Sequence, residues 1–190
     1  PSDQRTLVIR EELIGETAAR LAESPQSYTN SVGISLSLFK PTPFVMGAPR
    51  SQKGQRANEF EKRVNLRKPF YAARHEVTNG QFAQFKSGRR GASKAPVAGI
   101  SWVAAAEFTN WLSVQERLTP FYRISNGRLV GVSTTSDGYR LLSEAEWEWL
   151  ARLAGRPKQT IFTWGDTGTV PKKVGNIADE SANGITKFYV

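Results

Sequence analysis

The sequence predicts a mixed α+β domain with few regular elements and long ordered loops, and three observations carry that expectation. Three helix starts bear side chains able to cap them. Short alternating apolar runs, two of them joined by Asn126-Gly127, read as strands. Beyond Gly155, Pro157, Gly165, Gly168, Pro171, Gly175 and Gly184 recur without any period. A tail of that kind needs packed aromatics or bound ions to hold it.

Taken in order, the elements are these. Leu7, Ile14, Ala18 and Leu21 fall near helical spacing, and Pro25 stops the pattern, so residues 1–31 read as an N-terminal helix and connector. The stretch Ser24 to Ser31 within it is linker-like, and the main domain is expected over 32–190. Val32, Ile34, Leu36 and Leu38 alternate with Gly33, Ser35 and Ser37, which is strand period. Pro41 and Pro43 break the run, and Phe44 to Gly47 resumes it. Arg50 to Asn58 is a polar loop, and Arg63 to Tyr71 reads as a further strand region.

Thr78 and Gln81 form a T-x-x-Q capping box, in which each side chain can bond the other residue's free backbone N–H. The helix it opens carries Phe82 and Phe85 and is expected to end at Gly88. Ser101 caps a second helix, with Trp102, Ala105, Phe108, Trp111 and Leu112 as its apolar face. Phe121 to Ser125 and Arg128 to Val132 flank Asn126-Gly127, a strong hairpin signal because both turn residues tolerate positive φ. Ser143 and Glu146 open a third helix with an S-x-x-E box. Trp147, Leu150, Ala151 and Ala154 are expected to face inward there, with Gly155 as a left-handed C-cap.

Composition narrows the function classes. With 190 residues, 39% hydrophobic and 23% charged, the chain can bury a core. No run approaches the ~18 apolar residues of a membrane helix, and no secretory signal pattern is read. The chain has no cysteine, which excludes disulfides and thiolate chemistry from these residues. The single histidine, His75, lacks the nucleophile elbow of a hydrolase triad. His75-Glu76 begins an H-E-x-x-H pattern, but Asn79 stands where the second histidine belongs. Gly88-Arg89-Arg90-Gly91 has the G-x-x-G form of one nucleic-acid module, yet Pro96-Val97 follows where that module needs a helix.

The net charge of +9 is concentrated. Residues Arg50 to Lys94 hold twelve Lys or Arg against Glu59, Glu61 and Glu76, while the rest of the chain is balanced. A surface for an anionic partner is one reading, with Arg50, Lys53, Arg56, Arg63, Arg67, Lys68, Arg89 and Arg90 as its candidate residues. A basic solvated face is the other.

Several separated segments resemble the sulfatase-modifying-factor family, the family of the formylglycine-generating enzymes. They are Phe44-Val45-Met46-Gly47; Pro69-Phe70-Tyr71 with Glu76-Val77-Thr78-Asn79 and Phe82; Pro96-Val97 with Ile100-Ser101-Trp102, Ala105 and Trp111-Leu112; and Gly138-Tyr139-Arg140-Leu141 with Glu144-Ala145-Glu146-Trp147-Glu148 and Ala151-Arg152. Trp164-Gly165-Asp166 closes the series. The resemblance runs from about Gly33 to Asn176. Leu142 and Ser143 stand where the family usually has proline and threonine.

This resemblance implies a formylglycine-generating-enzyme-like variant of the C-type-lectin-like fold, with the family's C-terminal part absent from the chain. In catalytic members two cysteines bind copper and activate oxygen to oxidise a substrate cysteine. Here catalytic residues are none, and copper is expected only if cysteines lie beyond residue 190. Cysteine-free bacterial relatives serve as binding or assembly modules, and that is the first expectation. An N-terminal portion of an oxidase is the alternative, and a nucleic-acid-binding module ranks last. The resemblance also implies calcium in the loops after Trp164-Gly165-Asp166, held by the Asn176 side chain and the Ile177 carbonyl. Expected partners are a protein or a polyanion, or the rest of a longer chain. The compartment stays open, with a bacterial envelope or periplasm ahead of cytoplasm.

Overall fold

The computed structural model describes residues 8–11, 24–88, 91–171 and 174. Its centre is a strand buried on both faces. β6 (Phe70–Ala73) has all four residues buried, and the pleat sorts them. Tyr71 and Ala73 enter one apolar cluster, with Val32, Ile34, Leu36, Val77, Phe82, Phe108, Leu112 and Tyr139. Phe70 and Ala72 enter a second, with Phe44 and Trp149. Successive side chains of a strand point to opposite faces, so one short strand nucleates two cores.

Around β6 the five-stranded sheet has the order β2-β3-β6-β1-β9. Its other members are β1 (Val8–Glu11), β2 (Ser27–Thr29), β3 (Ser35–Phe39) and β9 (Tyr139–Leu141). Every pairing is antiparallel, with Leu38 opposite Tyr71, and Ile9 between Ala72 and Arg140. Two small ribbons stand beside it. One joins β4 (Phe44–Met46) to β5 (Lys62–Val64), and the other joins β7 (Tyr122–Ser125) to β8 (Arg128–Val132).

The helices are α1 (Asn79–Ala83), α2 (Trp102–Gln115) and α3 (Glu144–Arg152), and each starts at its expected cap. Thr78 and Gln81 bond reciprocally at 3.3 and 2.9 Å. Ser101 Oγ accepts from Ala104 N at 3.1 Å. Phe108 and Leu112 of α2 pack in the first cluster and Trp149 of α3 in the second, so the two longer helices serve opposite cores.

The hairpin falls at Asn126-Gly127, with φ of 49° and 68°. Gly138, just before β9, allows a close approach. A Cβ there would lie 2.3 Å from Thr119 O and 2.6 Å from Ser113 Oγ on α2.

Several expectations need correction. Val8–Glu11 is a strand in the sheet where helical spacing had suggested a helix, and residues 12–23 lie outside the described residues. A four-residue strand between two partners takes its conformation from their hydrogen bonds, not from local periodicity. The linker-like stretch contains β2. The strand region Arg63 to Tyr71 divides into β5 and β6. α1 is five residues long and passes into turns before Gly88.

On α3, Trp147 is 49% exposed, and Trp149 is the buried tryptophan at 5%. Both Glu146-Trp149-Leu150-Leu153 and Trp147-Leu150-Ala151-Ala154 have helical spacing, one residue apart. The ion pair of buried Glu146 with Arg140 on β9 selects the first. Trp102, in the first turn of α2, is 41% exposed and meets the Tyr122 ring edge-on at 5.2 Å.

Candidate functional site

A cleft lies between the β4–β5 ribbon and the segment that follows α3. Its volume is about 430 Å³, and its lining includes Val45, Gly47, Gln52, Arg152, Gln159 and Asp166. The local sequence explains how the walls hold. Gly47 has φ 88°, and a Cβ there would lie 2.4 Å from Phe60 O, so the chain turns out of β4 against the loop that returns to β5.

Arg152, in the last turn of α3, then joins three pieces of chain. Its Nε donates to Thr160 O at 2.7 Å, and its Nη1 donates to Gly47 O at 2.8 Å and to Glu148. Glu148 Oε1 in turn accepts from Gly47 N at 2.8 Å. Gln159 clamps Val45, accepting from its N–H at 3.2 Å and donating to its carbonyl. Asp166, of the Trp-Gly-Asp turn, accepts from Ile161 N and from Lys158 Nζ, each at 3.0 Å. The Lys158 hydrogen bond, with that of Ile161, holds the Asp166 carboxyl below its ordinary value of 3.8.

These paired groups make the cleft a polar seam with fixed walls. Arg152 pairs with Glu148 and Asp166 with Lys158, while Glu61 lines the cleft exposed and without an ion pair among the described residues. The sequence reading missed Glu148, Gln159 and Thr160 as structural partners. Arg152 and Asp166 stood in the quoted motifs, but spacing alone says nothing of what they tie together.

Six of the expected cationic residues fall in and beside the β4–β5 ribbon. Arg50, Lys53 and Arg56 are in the loop after β4, Arg63 is on β5, and Arg67 and Lys68 precede β6; all six are exposed. None of Arg50, Lys53, Arg56, Arg63 and Arg67 forms an ion pair among the described residues. Arg50 and Lys53 adjoin the cleft residues Pro49, Ser51 and Gln52, and Arg63 borders a second hollow of about 270 Å³ on the same ribbon. Arg89 and Arg90, and the calcium candidates Asn176 and Ile177, lie outside the described residues. His75 is exposed in the bend after β6. Among the described residues no group of three or more His, Cys, Asp or Glu is placed to hold a metal ion. The chain has no cysteine, so it offers no thiolate pair for copper.

The motif-bearing strand β9 has a different role. Arg140 donates to Glu146 through two bonds of 2.8 and 2.7 Å, and Ser143 N and Oγ each donate to the same carboxylate at 2.8 Å. Burial raises the Glu146 pKa, but the Arg140 bonds and charge together with the Ser143 bonds outweigh it and hold the carboxyl below 4.5. The neighbouring Tyr139 hydroxyl donates to Glu116 at 2.6 Å and lies 3.2 Å from the Tyr28 hydroxyl. Burial, first, then the facing Tyr28 and Glu116 push its pKa far above 10.0.

Residues 22–189 match the family described as sulfatase-modifying factor enzyme 1-like domain. The chain belongs to the sulfatase-modifying-factor family. Its fold is the formylglycine-generating-enzyme type of C-type-lectin-like fold, mixed α+β with small sheets and few helices. Among curated proteins it is 31% identical over 130 residues to chaperone protein LppX of Paenibacillus barcinonensis, covering 59% of this chain and 45% of that protein. The chain therefore spans under half the length of that relative. A solved structure of Treponema denticola variable protein 1 resembles it with a TM-score of 0.52 at 21% identity, over 67% of this chain and 57% of that one, a likeness of fold alone. No helix among the described residues is long and apolar enough to cross a membrane.

Proposed function

We propose that this sulfatase-modifying-factor domain is a non-catalytic binding or assembly module that engages an acidic protein or a polyanion through the exposed edge carrying Arg50, Lys53, Arg56, Arg63 and Arg67. The observation behind this reading is that these five exposed cations have no ionic partners among the described residues, and that Arg50 and Lys53 adjoin the cleft lining. Unpaired cations of one sign attract a polyanion and speed its encounter. The lack of cysteine fits a binding role, and the name of the chaperone relative is consistent with it. Calcium at Asn176 and Ile177 remains part of the proposal, as a brace for the loop after Asp166.

Binding of polyglutamate or heparin, followed by fluorescence anisotropy over a salt series, tests the reading. Replacing the five cations by glutamine should weaken binding at least tenfold and flatten the salt dependence. Equal binding by the variant refutes the assignment of this edge. Copper-dependent conversion of a C-x-P-x-R peptide to its aldehyde by the full-length protein would show that the larger protein is an oxidase instead.

A further inference from the structure

The β7–β8 hairpin offers a second surface, built from a different part of the chain. Asn110 of α2 closes the outer side of β7, donating to Tyr122 O at 2.7 Å and accepting from Tyr122 N at 3.0 Å. Opposite residues of an antiparallel pair alternate between exchanging both backbone bonds and exchanging none. Tyr122 spends its groups on Asn110, so its opposite number, Val132, turns its N–H and C=O away from β7. No other strand among the described residues pairs with β8.

The side chains along this edge are apolar and uncovered. Leu129, Val130 and Val132 are 44%, 63% and 38% exposed. Folded proteins usually blunt an open edge with proline, with lysine or by covering it. β8 contains neither residue; among the described residues its protection is the charge of Arg128 at its start and an irregularity in the pairing at Arg123/Ile124.

Charge narrows the choice of occupant. The hairpin, residues 122–132, carries Arg123 and Arg128 and no acid. Arg123 lies across Gly131, where a Cβ would stand 2.7 Å from its Nη2, so the guanidinium borders β8 itself. A second copy of this chain would bring another +9 charge and the same two arginines. We infer that β8 accepts an extended segment of a partner protein, apolar at its centre and acidic at its flanks, as an added antiparallel or parallel strand. Backbone bonds would supply affinity, and the flanking arginines would supply selectivity.

A probe for this is a blocked nonapeptide of alternating valine and threonine with two glutamates at each end. The 190-residue chain should bind it, and the amides of Leu129 and Val132 should gain protection from hydrogen exchange. Val130→Glu, at an exposed position that spares the fold, should weaken binding at least tenfold. The same peptide with alternate backbone amides methylated should not bind. The variant neutralised at Arg50, Lys53, Arg56, Arg63 and Arg67 should bind unchanged, which separates this site from the cationic edge. No binding by the wild type, loss of binding in that neutralised variant, unchanged binding by Val130→Glu, or β8 protection that appears with protein concentration alone would each overturn the inference.

Discussion

Glu146→Ala is the sharpest perturbation the scaffold offers. Both side chains of the Arg140–Glu146 pair are 9% exposed and joined by two bonds, so the variant leaves a buried guanidinium without its counter-charge. Breaking such a pair from one side costs ~3–5 kcal/mol. The reciprocal half of the capping box, in which Glu146 accepts from Ser143 N, is lost with it, at ~1 kcal/mol, while the Ser143 Oγ cap on the backbone N–H of residue 146 remains. A total of about 5 kcal/mol is a large part of the ~5–15 kcal/mol stability of a typical domain. With a urea slope of ~2 kcal/mol/M, the midpoint should fall by about 2.5 M. Arg140→Met combined with Glu146→Leu should recover all but about 1 kcal/mol, because neither charge then remains buried. The folded carboxyl titrates below its ordinary 4.5, so its contribution is complete above that pH and is lost as pH falls through the lower folded value. Wild-type stability should therefore drop below pH 4.5 more steeply than that of the double variant. A cost under ~1 kcal/mol for Glu146→Ala, or a double variant no better than the single, would refute this account of the pair.

Three further outcomes follow from the packing. Gly138→Ala should destabilise by ~1–3 kcal/mol, because its Cβ meets Thr119 O and Ser113 Oγ; thermal unfolding should shift down by ~2–4 °C for each kcal/mol. Trp149→Ala should cost ~3–5 kcal/mol by urea unfolding and Trp147→Ala within ~0.5, reversing the order that helical spacing alone suggests. Tyr139→Phe should cost ~1–3 kcal/mol by stranding a Glu116 oxygen. The Tyr139 pKa is raised, so its contribution is present below 10.0 and lost as pH rises above it; the phenylalanine variant should lose less stability in alkaline titration.

Most of the fold was legible because its signals are local. Thr78, Ser101 and Ser143 cap helices with their own near neighbours, and Asn126-Gly127 turns a hairpin within four residues. What was not legible depends on distant partners. β1 is a strand because β6 and β9, both far along the chain, lie on either side of it. The phase of α3 is set by Arg140 across a turn, and periodicity cannot distinguish two arcs one residue apart. The candidate site divides the same way. The cationic excess was visible as composition, but the cleft beside it is assembled by Arg152 and Gln159 reaching back more than a hundred residues to Gly47 and Val45.

The family motif and the candidate surfaces therefore answer to different constraints. Tyr139 and Arg140 are adjacent on β9, yet they serve opposite sides of the sheet: one hydroxyl joins Glu116 of the α2 C-cap, and one guanidinium holds Glu146 of α3. Gly138 must be glycine for α2 to approach, and Trp149 must fill the second core. Each of these residues fails expensively if changed. The cations of the β4–β5 ribbon and the apolar edge of β8 carry no such obligation, because their side chains are exposed and substitution there costs the fold little. A scaffold with two cores on one central strand can thus keep its motif while its ribbons exchange chemistry. Among the described residues, the surfaces open to such exchange include the cationic edge and the outer edge of β8.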